Sequence, residues 1–211
     1  MARYNSIVFG SMNGSIGNAT TQKWRGIDSV RQKPTTVANP KTEAQTDHRI
    51  TFALLVALSR VLNSVFMIGL AKQAIKKTAY NVFTSLNYAA GLVTTAAGVT
   101  TWDMSKLIVA YGSSNNITAA DQVVTGAELS LDNFTISGTE PPGNSVVYVA
   151  VVRKPVSGPP VLIGFASAPF SEDEINVTCD STIVPSTDNA YLFYVDANTN
   201  QPCDTFYVNI A

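Results

Sequence analysis

Charged residues are scarce in this chain: Asp, Glu, Lys and Arg make up 14% of it, well below the usual quarter. One histidine, His48, is present. That excludes multi-histidine metal sites and routes any Ser-His-Asp or Cys-His scheme through a residue beside Asp47, where a solvated histidine is the ordinary expectation. Two cysteines, Cys179 and Cys203, are too few for a disulfide scaffold, and no C-x-x-C spacing exists for zinc or redox work. A bridge between them and two separate thiols both remain open, with separate thiols favoured. G-x-S-x-G, S-x-x-K, G-x-G-x-x-G and G-x-x-x-x-G-K-[ST] are all missing, so neither a nucleophile elbow nor a phosphate cradle is written in the sequence. No enzyme, cofactor or metal site is expected.

Two acidic stretches bear on that exclusion. Asp196, Asn198, Asn200 and Asp204 alternate like calcium ligands, but the turn glycine is replaced and no bidentate glutamate follows. They read as a hairpin loop, and Glu172, Asp173 and Glu174 as a solvated loop. The N-terminus shows no basic-then-apolar signal pattern, so the five Asn-x-Ser/Thr sequons are expected to be unmodified.

What is present is apolar and divided by charge. Hydrophobic residues make up 45% of the chain, ample to bury a core. Residues 1–80 carry eleven cations against three carboxylates, net +8; residues 81–211 carry three against twelve, net −9. Oppositely charged halves attract between copies of one chain, or the basic half meets an acidic partner. With Lys23, Trp24, Arg25, Arg31 and Lys33 in one stretch, nucleic acid is a candidate partner. A protein partner is favoured over it, because the cations are spread among apolar residues.

Four segments follow. Residues 1–39 form an extended basic docking arm, turned at Gly10, Gly14 and Gly17, with strands Thr20–Arg25 and Ile27–Gln32 joined at Gly26. Residues 40–90 form a helical assembly region opening at Asn39 and Pro40, whose Ile50, Leu54, Leu58, Val61 and Val65 recur at helical spacing. A second helix is expected over Leu70–Leu86, with Lys72, Lys76 and Lys77 on its exposed side, ending at Gly91. Residues 91–105 read as a linker. Residues 106–211 read as a β-sandwich domain with strands at Leu107–Tyr111, Val123–Leu131, Phe134–Ser137, Val146–Arg153, Val161–Ala166, Ile175–Cys179, Ala190–Val195 and Thr205–Ile210. The fold class is therefore α+β: an extended N-terminal arm and helical pair followed by an all-β immunoglobulin-like sandwich. The Cys…Trp…Cys hallmark of true immunoglobulin domains is missing, because Trp102 precedes both cysteines. The stretch Ile50–Ala71 is long enough to span a membrane, but Ser59, Arg60 and Asn63 sit at its centre, where an arginine costs about 2.5–3.5 kcal/mol. A buried interface helix is the better reading.

The blocks Gly14-Ser-Ile-Gly17, Lys23-Trp-Arg-Gly-Ile27, Arg31-Gln-Lys-Pro34 and Asn39-Pro-Lys-Thr-Glu-Ala-Gln45, with Phe52 and Ala53 beyond them, carry a resemblance. The first 90 or so residues resemble an uncharacterised family of about 200-residue proteins from Bacteroidota and their phages. The resemblance transfers no catalytic residue. It implies a virion component, such as a capsid decoration, head fibre or tail protein, made in the bacterial cytoplasm and assembled with itself and other virion proteins. Trp24, Arg25 and Gly26 with the Ile50, Leu54, Leu58, Val61 and Val65 face are the expected assembly interface. The alternative is a carbohydrate- or receptor-binding module, its loops flanked by Tyr148, Tyr191, Phe193 and Tyr194.

Overall fold

The computed structural model describes residues 2–3, 12–24, 26–36, 39–112, 116–137, 143–155 and 158–210. The chain divides into two units, Met1–Lys41 and Thr42–Ala211.

The first unit is a small antiparallel sheet. Strands β1 (Ala2–Arg3), β2 (Gly14–Ile16), β3 (Ala19–Trp24) and β4 (Ile27–Gln32) lie in the order β1-β4-β3-β2. The β3–β4 hairpin closes between paired Trp24 and Ile27, and Gly26 takes φ +81° there, a conformation open to glycine. β4 and the Gly26 junction lie where the sequence places them, and β3 runs one residue earlier than Thr20–Arg25, whose last residue is outside the described residues. Among the residues of this unit whose side chains are described, Thr21 and Ser29 are the buried ones. Each is satisfied locally: Thr21 donates to the Gly14 carbonyl (3.1 Å) and Ser29 to the Gln22 carbonyl (3.2 Å).

The second unit opens with α1 (Glu43–Val61), three residues later than Pro40 suggests. Lys41 sits at φ +48°, which no helix accommodates, and the Thr42 hydroxyl accepts the Gln45 N–H (3.4 Å) as N-cap. Helix α2 (Asn63–Gly69) turns away from α1 by 87°. No single helix among the described residues is long and apolar enough to cross a membrane. The bent α1–α2 pair has the length and composition of a span, yet Leu55, Leu58, Leu62, Val65 and Phe66 along it are all fully buried in the core.

Helix α3 (Ala79–Ala90) is capped by Thr78, whose hydroxyl accepts the Asn81 N–H, and ends at Gly91 with φ +71°. It is shorter at its start than Leu70–Leu86 predicts: Lys72 lies in a short 3-10 turn, and Lys76 (φ +57°) and Lys77 lie in the loop before Thr78. Residues 91–105, expected as a linker, instead form the hairpin β5 (Val93–Ala96) and β6 (Val99–Trp102) and a 3-10 turn at Met104–Lys106. The hairpin leans on α1. Asp47 accepts the Gly98 N–H (3.1 Å), and Thr51 donates to Thr95 (2.9 Å).

The β body follows: β7 (Ile117–Thr125), β8 (Glu128–Ile136), β9 (Val146–Arg153), β10 (Val161–Pro169), β11 (Glu174–Thr178), β12 (Asp188–Val195) and β13 (Phe206–Asn209). Two antiparallel sheets, β11-β8-β7 and β10-β9-β12-β13, pack together through β7 on β12 and β11 on β9. Leu129, Leu131, Ile175 and Val177 alternate inward along the three-stranded sheet. The central strands β9 and β12 are apolar almost without interruption, as expected for strands covered on both faces. The fold is α+β with a β-sandwich-like body. Helices, hairpin and sandwich share one continuous core from Leu55 to Ile210, so residues 42–211 form one unit.

Three strand expectations give way. Phe134–Ser137 is no strand of its own but the end of β8, which runs from Glu128 to Ile136. Val123–Leu131 is split into β7 and β8 by a turn at Gly126, φ +64°. Leu107–Tyr111 is no strand. Its backbone is served by side chains instead. Asn87 accepts the Ile108 N–H (2.8 Å) and donates to its carbonyl (2.9 Å), while Thr205 accepts the Val109 and Ala110 N–H groups (3.0 and 2.8 Å). Gly69 lies beneath this segment, where a Cβ would meet the Val109 carbonyl oxygen and come 2.7 Å from the Ala110 Cβ.

Candidate functional site

The interface residues expected from sequence fall in two places. Trp24 ends β3, with its side chain outside the described set; Arg25 lies outside the described residues; Gly26 forms the exposed hairpin tip. On α1 the buried face is Thr51, Leu55, Leu58 and Ser59, continuing to Leu62, about one residue round from the expected one. Leu58 and Val65 are fully buried in the chain's own core and have no surface to offer a neighbour, while Ile50, Leu54 and Val61 keep partial exposure. Both buried hydroxyls are satisfied, Thr51 by Thr95 and Ser59 by the Val56 carbonyl (2.8 Å).

A groove on the helical side was not anticipated. Its volume is about 500 Å³, and it runs between α1 (Phe52, Val56, Ser59) and α3 (Tyr80, Asn81, Thr84, Ser85, Tyr88). Phe52 is 53% exposed, Tyr80 37% and Tyr88 45%. No charged side chain lines it. Tyr88 is held by His48: its hydroxyl lies 3.0 Å from Nδ1, and the ring centroids are 5.1 Å apart. Tyr80 packs edge-on against buried Phe66, which stacks on Phe83. The sequence signal was legible in retrospect: Tyr80, Thr84 and Tyr88 recur every four residues on a helix that has no Asp, Glu, Lys or Arg.

The aromatics offered for ligand binding on the β body lie elsewhere. Tyr191, Phe193 and Tyr194 are buried core, because β12 is covered on both faces, and Tyr148 is sandwiched between Phe165 and Phe193. Burial and the Met104 carbonyl, which accepts the Tyr191 hydroxyl (2.7 Å), fix that phenol in place, and desolvation raises its pKa. The acidic stretches are local scaffolding. Asp196 accepts the Asn198 and Thr199 N–H groups (2.7 and 3.2 Å), and Asn200 takes φ +51° where a glycine was missed. Asp173 accepts the Phe134 N–H (2.8 Å). Among the described residues no three His, Cys, Asp or Glu side chains converge as a metal site. Cys179 and Cys203 are separate buried thiols.

These features define an α+β protein with a β-sandwich-like body, a small N-terminal antiparallel sheet and an uncharged helical groove. The chain belongs to a family of unknown function, DUF6266, whose match covers residues 11–192. No curated protein and no solved structure matches it.

Proposed function

We propose that the chain is a structural subunit of a phage-type virion, a capsid decoration, head fibre or tail component, that assembles through its N-terminal unit. One observation carries this reading: a four-stranded sheet with no buried apolar side chain among those residues whose side chains are described. A small sheet is stable when it has a hydrophobic face or something to pack on. A unit built this way gains its missing contacts on another surface. Charge supports the same reading. Residues 1–41 hold six cations against one carboxylate, net +5, whereas residues 42–211 hold eight against fourteen, net −6. Copies of the chain thus attract one another unit to unit, and opposite charge speeds their encounter. The low overall charge suits a surface that neighbours cover. The virion assignment rests on the resemblance to proteins from Bacteroidota and their phages.

Light scattering on the full chain and on residues 42–211 tests it. A defined oligomer that reverts to monomer without residues 1–41 is expected. A monomeric full chain at all concentrations removes self-assembly. Peptides of the chain in purified phage particles, read by mass spectrometry, test the destination.

A further inference from the structure

We propose that the groove between α1 and α3 is a binding site for an uncharged sugar residue of a glycan. The groove belongs wholly to the second unit, and the argument is independent of the assembly reading. Its volume, about 500 Å³, lies within the range of small-molecule sites.

The lining selects the ligand's chemistry. With no Lys, Arg, Asp or Glu among its residues, the groove offers no counter-charge to a phosphate, carboxylate or ammonium group. Aromatic rings and short polar groups are what remain. The Tyr80 phenol, the Asn81 side-chain amide and the Ser85 hydroxyl take no partner among the described residues, so their hydrogen-bonding capacity is open to a ligand. A pyranose matches this pairing: its C–H face lies on an aromatic ring while its hydroxyls exchange hydrogen bonds with amide and hydroxyl groups. Tyr, Ser and Asn are also the residues that dominate evolved recognition surfaces, because they supply contact area and adaptable hydrogen bonds at small entropic cost. An exposed helix face ordinarily carries Lys and Glu; that of α3 presents Tyr80, Asn81, Ser85 and Tyr88 instead.

The site is also preorganised. Tyr80 is held from behind by Phe66, and Tyr88 by His48, both from outside the groove. An apolar side chain from a second copy would match the groove's aromatic walls but would strip water from the three open polar groups without replacing it. A sugar replaces it.

The test is titration of the full chain with cellotriose, maltotriose and triacetylchitotriose, followed by saturation-transfer NMR and calorimetry. At least one is expected to bind saturably, with a dissociation constant on the order of 0.1–1 mM. Tyr88→Ala and Asn81→Ala should each weaken it about tenfold or more. Both side chains are exposed, so the melting temperature confirms that the variants fold. Ile75→Ala, in a neighbouring groove that shares only Ser85 with this one, should leave binding unchanged. Trigalacturonate should bind no better than the neutral sugars. The proposal is overturned by no saturable binding of the three neutral sugars at about 10 mM. Undiminished binding in both groove variants, or preference for the acidic sugar, overturns it equally. If Tyr88→Ala changes the oligomeric mass and no sugar binds, the groove is a contact between copies and the proposal also fails.

Discussion

Among the described residues, the two units bury different kinds of side chain. Residues 42–211 bury leucine, valine, isoleucine and phenylalanine in one continuous core, whereas the buried side chains described in residues 1–41 are Thr21 and Ser29. Apolar burial contributes roughly 25 cal/mol per Å², and a satisfied hydrogen bond about 1 kcal/mol net. The second unit therefore contains its own driving force for folding. In the described part of the first, the contacts are its ladder and a few side-chain bonds.

Substitutions can break or sharpen that contrast. The largest effect is expected at Asp188, a fully buried carboxylate directly across from Arg153. It accepts from Arg153 Nε (2.7 Å) and Nη2 (2.6 Å) and from the Val184 N–H (2.8 Å). Asp188→Ala leaves the Val184 N–H unpaired and the part-exposed Arg153 guanidinium with only Ser181 and Thr182, and should cost about 3–4 kcal/mol in urea denaturation. Burial pushes the Asp188 pKa up, but the Arg153 and Val184 hydrogen bonds and the Arg153 charge outweigh it and hold it below the ordinary carboxylate range. A depressed folded value means the stabilisation is full above the unfolded value, about 4, and fades as pH falls through the folded one. Wild type should therefore lose stability below about pH 4 more steeply than Asp188→Asn.

Next is Gly69→Ala, which drives a methyl into the Val109–Ala110 backbone and should cost about 2–3 kcal/mol in the same assay. Tyr191→Phe removes the shorter of two hydrogen bonds to the Met104 carbonyl, which keeps the Leu107 N–H (3.3 Å), and should cost about 1 kcal/mol. Smallest is Thr21→Val, which removes the hydroxyl bonded to Gly14. It should move the main unfolding transition by less than about 0.5 kcal/mol, while amide exchange in β2 and β3 accelerates. A main transition that drops as far for Thr21→Val as for Gly69→Ala would erase the distinction between the units.

The β3–β4 hairpin was legible because Gly26 sits alone between two strand-forming runs, and β9 and β12 because their apolar runs are bounded by turn residues. The buried face of α1 was not. Leu54, Leu55, Val56, Ala57 and Leu58 fit several helical stripes equally well, and the correct one contains Thr51 and Ser59, whose hydroxyls are satisfied by partners no spacing reveals. Leu107–Tyr111 has a strand's composition, and only the distant Asn87 and Thr205 let it run as buried irregular chain. The α1–α3 groove escaped because it depends on which side of α3 is left uncovered, a property of packing.

The two thiols have a practical consequence. Desolvation pushes Cys179 up to about 11 and Cys203 up to about 12, so at neutral pH neither has appreciable thiolate. An alkylating reagent finds them only when the body opens, which makes their modification rate an intrinsic clock for opening of the core. A cysteine introduced on the surface, for instance Ser85→Cys, would then react alone. A fluorophore or spin label can be placed on this chain without first removing either native cysteine.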